Sequence, residues 1–318
     1  MFLNKNVVDY MNFRAICRSC ESAAPLIQWR EAPISLKSAP LLPWLMSPDN
    51  HSGIHSFVDP KLGGKYLVKV PESLVDANIL YSRKGWLLMH SISRNALSFY
   101  NPFTKDIIKL PYLLRAFVLS SSMGFTYAPT SKSYVVVAIH ITLHEAEVRV
   151  FWYGWRGWSN YRFTNDISKF VSNHNSPVFH EGGFYVLGKD GNLGVFKVLW
   201  PERYTWKVLA VPQKPCISFC QSFLLECGGR LLSVFMGPVG EWIKVFALNG
   251  ITMRWDKVSR LEHNTLYLNR PSSFSKPGWI TGMGEKSSFQ GSTMIQILWS
   301  IIVWRLENII ALVARMMQ

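Results

Sequence analysis

Glu181-Gly182-Gly183-Phe184-Tyr185-Val186-Leu187 sets a glycine-marked turn directly ahead of an apolar strand, and the arrangement occurs more than once. It recurs as Arg83-Lys84-Gly85-Trp86-Leu87-Leu88-Met89 and as Cys227-Gly228-Gly229-Arg230-Leu231-Leu232. A second strand follows each copy: Leu97-Ser98-Phe99-Tyr100, Leu193-Gly194-Val195-Phe196 and Ile243-Lys244-Val245-Phe246. Val148-Arg149-Val150-Phe151 fills the gap between the first two. Third strands, Trp-marked or ended by proline, follow at Lys105 to Pro111, Trp158 to Thr164, Trp206 to Pro212 and Trp255 to Leu261. The anchors Tyr100, Phe151, Phe196 and Phe246 stand 45 to 51 residues apart, a period that suits four-stranded propeller blades.

That period is too long for a single hairpin. It also disagrees with a βαβ unit, because turn residues rather than an amphipathic helix separate the strands. Asn101-Pro102, Ala128-Pro129 and Lys189-Asp190-Gly191-Asn192 are such turns, where Gly or Asn supplies the positive φ of a tight hairpin. One blade cannot bury both of its faces, so blades stack around an axis. The recurrent Trp and aromatic anchors are therefore expected between sheets, as core rather than as a ligand site.

Composition agrees. Of 318 residues 48% are hydrophobic, 14% aromatic and 17% charged, which describes a globular chain with a large core and excludes disorder. The 13 Trp, 12 Tyr and 19 Phe favour strands over a helical bundle. The net charge of +14 divides as 0, +6, +2, +2 and +4 over residues 1–60, 61–120, 121–180, 181–240 and 241–318. No dense basic run or nucleic-acid recognition module occurs, so specific nucleic-acid binding is not expected. Five cysteines, an odd and sparse set, make no disulfide framework. Met1 to Tyr10 lacks the apolar stretch of a secretory signal, so a cytoplasmic or nuclear location is expected.

The two ends depart from the repeat. In residues 1–30, Val8, Phe13, Ile16 and Cys17 recur at helical spacing behind the candidate caps Asn6 and Asp9, predicting a short amphipathic helix. Residues 31–52 hold Pro33, Pro40, Pro43 and Pro48 and are read as an extended connector with little regular structure. The propeller is expected over 53–276, and 277–318 is a divergent tail. Within the tail, Met294 to Gln318 predicts an amphipathic helix, with Gln296, Ser300, Asn308, Ala311 and Arg315 near one face. Its charge-free run from Met294 to Trp304 falls short of the about 20 residues that a membrane span needs. The polar face lacks the Lys and Arg of a membrane-surface helix, so packing on protein is favoured over a membrane.

Candidate chemistry is sparse. Cys216, Cys220 and Cys227, with His263 downstream, lack the paired short spacings of a zinc site, so no metal is expected. Cys17 and Cys20 form C-x2-C without the βαβ context of a redox pair. His140, His144, Glu145 and Glu147 are read as a loop between Tyr134–Ile139 and Val148–Tyr153. No catalytic motif or cofactor fingerprint is present, so catalytic residues and cofactors are read as none. A propeller enzyme acting on a glycan or small metabolite is the competing class. It would need carboxylates converging on a cleft, and Glu145, Glu147, Asp190, Glu226, Asp256 and Glu262 share no blade position.

Leu41-Leu42-Pro43-Trp44-Leu45-Met46, Asn101-Pro102-Phe103-Thr104 with Leu110-Pro111, and Val178 to Leu187 with Gly191-Asn192-Leu193 together resemble the plant F-box proteins that carry the KIB-type, kelch-like β-propeller domain. The likeness spans about residues 8 to 275. It implies a mainly β, kelch-like propeller of four-stranded blades; the short N-terminal helix and the C-terminal helix come from the reading of the two ends, and Pro277 to Gln318 departs from the family, which continues there into a further strand-rich segment. It implies a substrate receptor of a Skp-cullin-F-box ubiquitin ligase, whose F-box docks on a Skp-type adaptor while the propeller holds a protein substrate. Asp9 to Ala24 is similar to the last helix of that F-box, and Phe13, Arg14, Ile16 and Cys17 fit its pattern and become the expected adaptor contacts. Cys20 and Glu21 stand where the family carries Trp-Arg, and the front half of the module is not seen, so an adaptor-like chain without ubiquitin-ligase activity is a further alternative. The substrate-contacting residues are unassigned; Thr142 to Glu147 and Gly237 to Glu241 are the loops expected to present them.

Overall fold

The computed structural model describes residues 19, 45–49, 53–58, 65–164, 170–172, 175–199, 203–209, 220–238, 242–261, 264–269, 272–277 and 294–297. Six sheets follow one another along these residues. Sheet one holds β1 (Leu45–Asp49), β2 (Ile54–Val58) and β3 (Lys65–Lys69). Sheet two holds β4 (Ala77–Arg83), β5 (Trp86–Ser91), β6 (Ala96–Tyr100) and β7 (Ile107–Lys109). In sheet three, β8 (Ser122–Phe125), β9 (Val135–Ile141), β10 (Glu145–Trp152) and β11 (Ser159–Thr164) lie in order. Sheet four is β12 (Val178–His180), β13 (Gly183–Leu187), β14 (Leu193–Leu199) and β15 (Arg203–Leu209); sheet five is β16 (Gln221–Cys227), β17 (Arg230–Met236), β18 (Ile243–Asn249) and β19 (Arg254–Lys257). Sheet six has β20 (Asn264–Leu268) between β21 (Phe274–Pro277) and β22 (Met294–Ile297).

Sheets two to five are antiparallel throughout, each strand pairing with the next in chain order. The glycine-marked turns join first strands to second strands. Their central pairs, Lys84 and Gly85, Glu181 and Gly182, Gly228 and Gly229, all have positive φ. Two consecutive left-handed residues make the type I′ turn, whose twist matches that of the flanking strands. The anchor-bearing strands, expected as second strands, are the third of each sheet, β6, β10, β14 and β18, and the expected third strands are the fourth, β7, β11, β15 and β19. The first strand of each sheet lies just upstream of its turn, where the sequence carries no punctuation.

Burial on both faces explains the apolar runs. Leu87 and Met89 of β5 pack with Phe57 and Met46 of sheet one, while Leu88 between them packs with Phe125 and Val136 of sheet three. Val135, Val137 and Ile139 turn instead toward Phe184, Val186 and Phe196 of sheet four. Tyr185 and Leu187 meet Leu224, Leu231 and Phe235 of sheet five. Phe223, Leu225, Leu232 and Val234 complete the series against Leu266 and Leu268 of sheet six. Successive residues of a strand point to opposite faces, so each inner strand feeds two interfaces at once. Each anchor lies in the interface with the preceding sheet: Tyr100, Phe151, Phe196 and Phe246 occupy the first to fourth of the five interfaces.

The recurrent Trp residues join them there, as expected. Trp158 packs beside Phe151 at 5.7 Å, Trp206 opposes Phe196 in register, and Trp255 packs with Phe246. Two of these indoles also cross-link sheets: Trp158 Nε1 donates to the Pro111 carbonyl at 3.0 Å, and Trp255 Nε1 donates to the Gly191 carbonyl at 2.8 Å. A short helix, α1 (Arg115–Ser120), joins β7 to β8. Phe117 pins it, with the Arg149 guanidinium 4.0 Å from its ring centroid and the His140 ring against its edge.

Three expectations change. Leu45–Asp49 forms β1 although it lies within the stretch read as connector; Pro48 is accommodated because β1 is an edge strand, where a missing N–H costs little. Thr142 to Glu147 is not an open loop: β9 runs to Ile141 and β10 begins at Glu145, leaving a turn that Thr142 closes by accepting from the Glu145 N–H at 3.2 Å. Met294–Ile297, expected to open the C-terminal helix, is a strand paired in parallel with β20. The edge of β20 needs a backbone partner, and Met-Ile-Gln-Ile, half of it β-branched, supplies one. The rest of that helix and the N-terminal helix lie outside the described residues, apart from Ser19, which is helical. Among the described residues no helix is long and apolar enough to cross a membrane.

Candidate functional site

The first strands of sheets two to five, β4, β8, β12 and β16, lie side by side in that order, and β21 follows β16. A narrow opening runs between them, lined by Tyr81, Asn175, Val178, Phe223, Asn269 and Ser272 among others. The loops bring these residues together. Asn175, buried just ahead of β12, donates from Nδ2 to the Ser222 carbonyl at 2.7 Å at the start of sheet five. Ser273 closes its own loop by accepting from the Asn269 N–H at 3.1 Å and donating to the Asn269 carbonyl at 3.0 Å. The Ser82 and Ser272 hydroxyls meet at 2.5 Å and tie sheet two to sheet six.

The opening is too small for a substrate. Its core holds about 10 Å³, the room one water molecule needs. Among the described residues its lining offers hydroxyls and amides but no carboxylate, imidazole or thiol. Tyr81, buried beside it, has its phenol pushed up chiefly by loss of water; the Arg83 charge and hydrogen bond work against that shift, and Glu226 adds to it. A phenol held neutral in this way is neither a base nor a nucleophile at neutral pH.

The carboxylates considered for catalysis are dispersed. Glu147 is buried on β10 and accepts from Arg149 at 3.0 and 3.2 Å, with Arg162 at 3.9 Å. Asp256 accepts from Asn249 Nδ2 at 2.9 Å on sheet five, Asp190 lies in a turn of sheet four, and Glu226 is the last residue but one of β16 in sheet five. Glu262 is outside the described residues. His140 Nδ1 donates to the Ser120 carbonyl at 2.9 Å and so fastens α1, while the His144 N–H donates to Thr142 Oγ1 within the turn. Cys227 is buried between sheets five and six, whereas Cys220 packs toward sheet four. The two thiols thus face opposite sides of sheet five, and Cys216 and His263 are outside the described residues. So are Cys17, Cys20 and the expected adaptor contacts Phe13, Arg14, Ile16 and Cys17.

Sequence reasoning missed the axial residues, since a sheet-closing pair such as Ser82 and Ser272 lies 190 positions apart and carries no local signal. The turns are the other exposed feature. Those joining first to second and third to fourth strands gather on one face, the upper; those joining second to third strands, with the connections between sheets, gather on the lower. The Thr142 to Glu147 turn expected to present substrate contacts belongs to the lower face, as does Gly237 just past the end of β17; residues 239–241 of the second expected loop lie outside the described residues.

Successive four-stranded antiparallel sheets, packed face to face with their first strands around a narrow axis, define a β-propeller. The KIB1-4 beta-propeller family model matches residues 57–281, and the chain belongs to that family. An F-box/kelch-repeat protein of Arabidopsis thaliana is 33% identical over 290 residues, covering 88% of this chain and 79% of its own length. An Arabidopsis thaliana F-box protein is 27% identical over 275 residues, covering 84% and 69%. Among solved structures a luciferin-regenerating enzyme aligns at 9% identity and a TM-score of 0.35, over 68% of this chain and 76% of that one, too slight a likeness to bear on function.

Proposed function

We propose that the chain is a non-enzymatic protein-interaction module that serves as the substrate receptor of a Skp-cullin-F-box ubiquitin ligase. In this reading residues 1–30 supply an F-box-like segment whose Phe13, Arg14, Ile16 and Cys17 meet a Skp-type adaptor. Residues 53–276 hold a protein substrate, and the chain works in the cytoplasm or nucleus without metal or cofactor. The carrying observation is the axial opening: with room for about one water, it favours the propeller's surface over a pocket as the place of recognition among the described residues. Membership of a family with relatives named as F-box proteins supports the same reading.

The test is co-expression of the full chain with a Skp-type adaptor. Co-purification is expected, together with its loss in a Phe13→Ala/Arg14→Glu variant of unchanged melting temperature. Failure of the parent chain to co-purify, with binding restored by grafting on a complete F-box, overturns the receptor role and leaves an adaptor-like chain without ligase activity.

A further inference from the structure

The fold sorts charges that the sequence scatters. On the upper face of sheets two and three stand Arg83 at the end of β4, Lys84 in the first turn, Lys105 in the next, and Lys132 and Arg156 in the two turns of sheet three. One carboxylate, Asp106, shares these described turns, and it already accepts from Thr104 Oγ1 at 2.6 Å. The lower face of the same two sheets is balanced, with Arg94, Lys109 and Arg115 against Glu72, Asp76 and Glu145. Asp76 is further occupied by the Ser93 N–H at 2.6 Å and Ser91 Oγ at 2.8 Å.

Large apolar side chains stand among the upper cations. Tyr127, Tyr153 and Trp155 are 44%, 46% and 39% exposed, and all three lie in the turns that carry Lys132 and Arg156. They are held rather than loose: Tyr127 packs against Phe179 at 6.0 Å, Tyr153 against Tyr134 at 5.6 Å and Trp155 against Trp152 at 6.2 Å. The two turns are also joined by the Tyr153 N–H donating to the Tyr134 carbonyl at 3.1 Å. Fixed aromatic rings near Lys84, Lys105, Lys132 and Arg156, which make no ion pair among the described residues, form a surface whose recognition requires little ordering.

We infer that the upper face of sheets two and three, carrying Lys84, Lys105, Lys132 and Arg156 around Tyr127, Tyr153 and Trp155, docks an acidic protein segment that bears aromatic or aliphatic side chains. This rests on the receptor reading and names the class of its substrate. Charge complementarity sets the sign of the partner and speeds encounter, while the aromatic rings give it apolar contacts. A single nucleic-acid strand is the weaker match. It needs a basic groove to follow, whereas these cations sit on separate turn tips beside an opening of one-water size.

The test uses the full chain and two probes, a labelled peptide of four Glu-Glu-Phe-Gly repeats and a labelled 20-nucleotide oligouridine. Two variants each reverse four exposed cations: Lys84→Glu/Lys105→Glu/Lys132→Glu/Arg156→Glu above, and Arg94→Glu/Lys109→Glu/Arg115→Glu/Lys189→Glu below. Neutral versions with Gln at the same positions serve if a reversal lowers the melting temperature. The upper reversal is expected to weaken peptide binding about ten-fold or more and flatten its salt dependence, while the lower one changes it less than about two-fold. Equal losses in both variants, no peptide binding by the parent chain, or tighter binding of oligouridine than of peptide overturns the inference. Adaptor co-purification of the upper variant is measured in parallel. Its retention with lost peptide binding supports the assignment, and its absence in a parent chain that still binds peptide refutes the receptor reading alone.

Discussion

Replacing Trp255 by Phe tests whether the sheets are joined by indole hydrogen bonds as well as by apolar contact. The ring is 6% exposed in the interface of sheets four and five, and its Nε1 donates to the Gly191 carbonyl at 2.8 Å in a buried bond. Phenylalanine keeps most of the apolar contact but leaves that carbonyl without its donor, which costs about 1–3 kcal/mol. The missing part of the ring leaves a small void worth about 1 kcal/mol more. The expected loss is therefore about 2–4 kcal/mol. In a domain of this size it lowers the melting temperature by roughly 5–15 °C, at about 2–4 °C per kcal/mol. Thermal unfolding followed by near-ultraviolet circular dichroism reads it, with Trp155→Phe as the control. Trp155 stands in an exposed turn, and its loss should stay within about 0.5 kcal/mol. If Trp255→Phe melts within about 1 °C of the parent and together with the control, the cross-sheet bond contributes nothing and the account of the interface fails.

Gly194→Ala should destabilise by about 1–3 kcal/mol, because its Cβ would stand 2.5 Å from the Trp206 ring and 3.1 Å from Phe170; a urea midpoint equal to the parent's would refute it. Burial raises the Tyr100 phenol to about 12 from 10.0. Its folded form therefore favours the proton: the stability it contributes is complete below pH 10 and lost as pH climbs to 12, about 2–3 kcal/mol in all. Tyr100 Oη has no hydrogen-bond partner among the described residues, so Tyr100→Phe should be neutral or slightly stabilising at pH 7 and should flatten the alkaline limb; an unchanged limb would count against it. Glu147→Gln should cost about 1–3 kcal/mol by taking the charge from Arg149 and Arg162, and a loss of stability that disappears in high salt would show the pair to be a surface effect.

The repeat was legible because its punctuation is chemical. Gly85, Gly182 and Gly228 with Gly229 answer to the positive φ of a type I′ turn, and the Trp and aromatic anchors answer to the interfaces they fill. The first strands were not legible: β12 has three residues, and β4 mixes Asn78 and Ser82 among its apolar positions. Glu145 and Glu147 looked like loop residues because strands seldom bury a carboxylate. Here Ala146 and Val148 carry the burial, and two arginines satisfy Glu147. The apolar run after Met294 suggested a helix because composition does not report which sheet edge lacks a partner. The axial opening and the charged face share one reason for escaping notice. Each assembles residues from turns dozens of positions apart, and no periodicity records which turns end on the same side.

A Cβ added at Gly85, Gly182, Gly228 or Gly229 would meet nothing within 4 Å. The tips of these first turns therefore stand clear of every interface that holds the sheets together. At these turn tips the demands of backbone conformation are thus separate from the demands of packing between sheets. The limit on these tips is the backbone: positive φ at both central residues confines each turn to side chains that tolerate the left-handed region. A cross-linker or dye is better carried by Glu181, an exposed side chain that already stands at positive φ in this turn, than by Gly182, whose replacement would strain the turn.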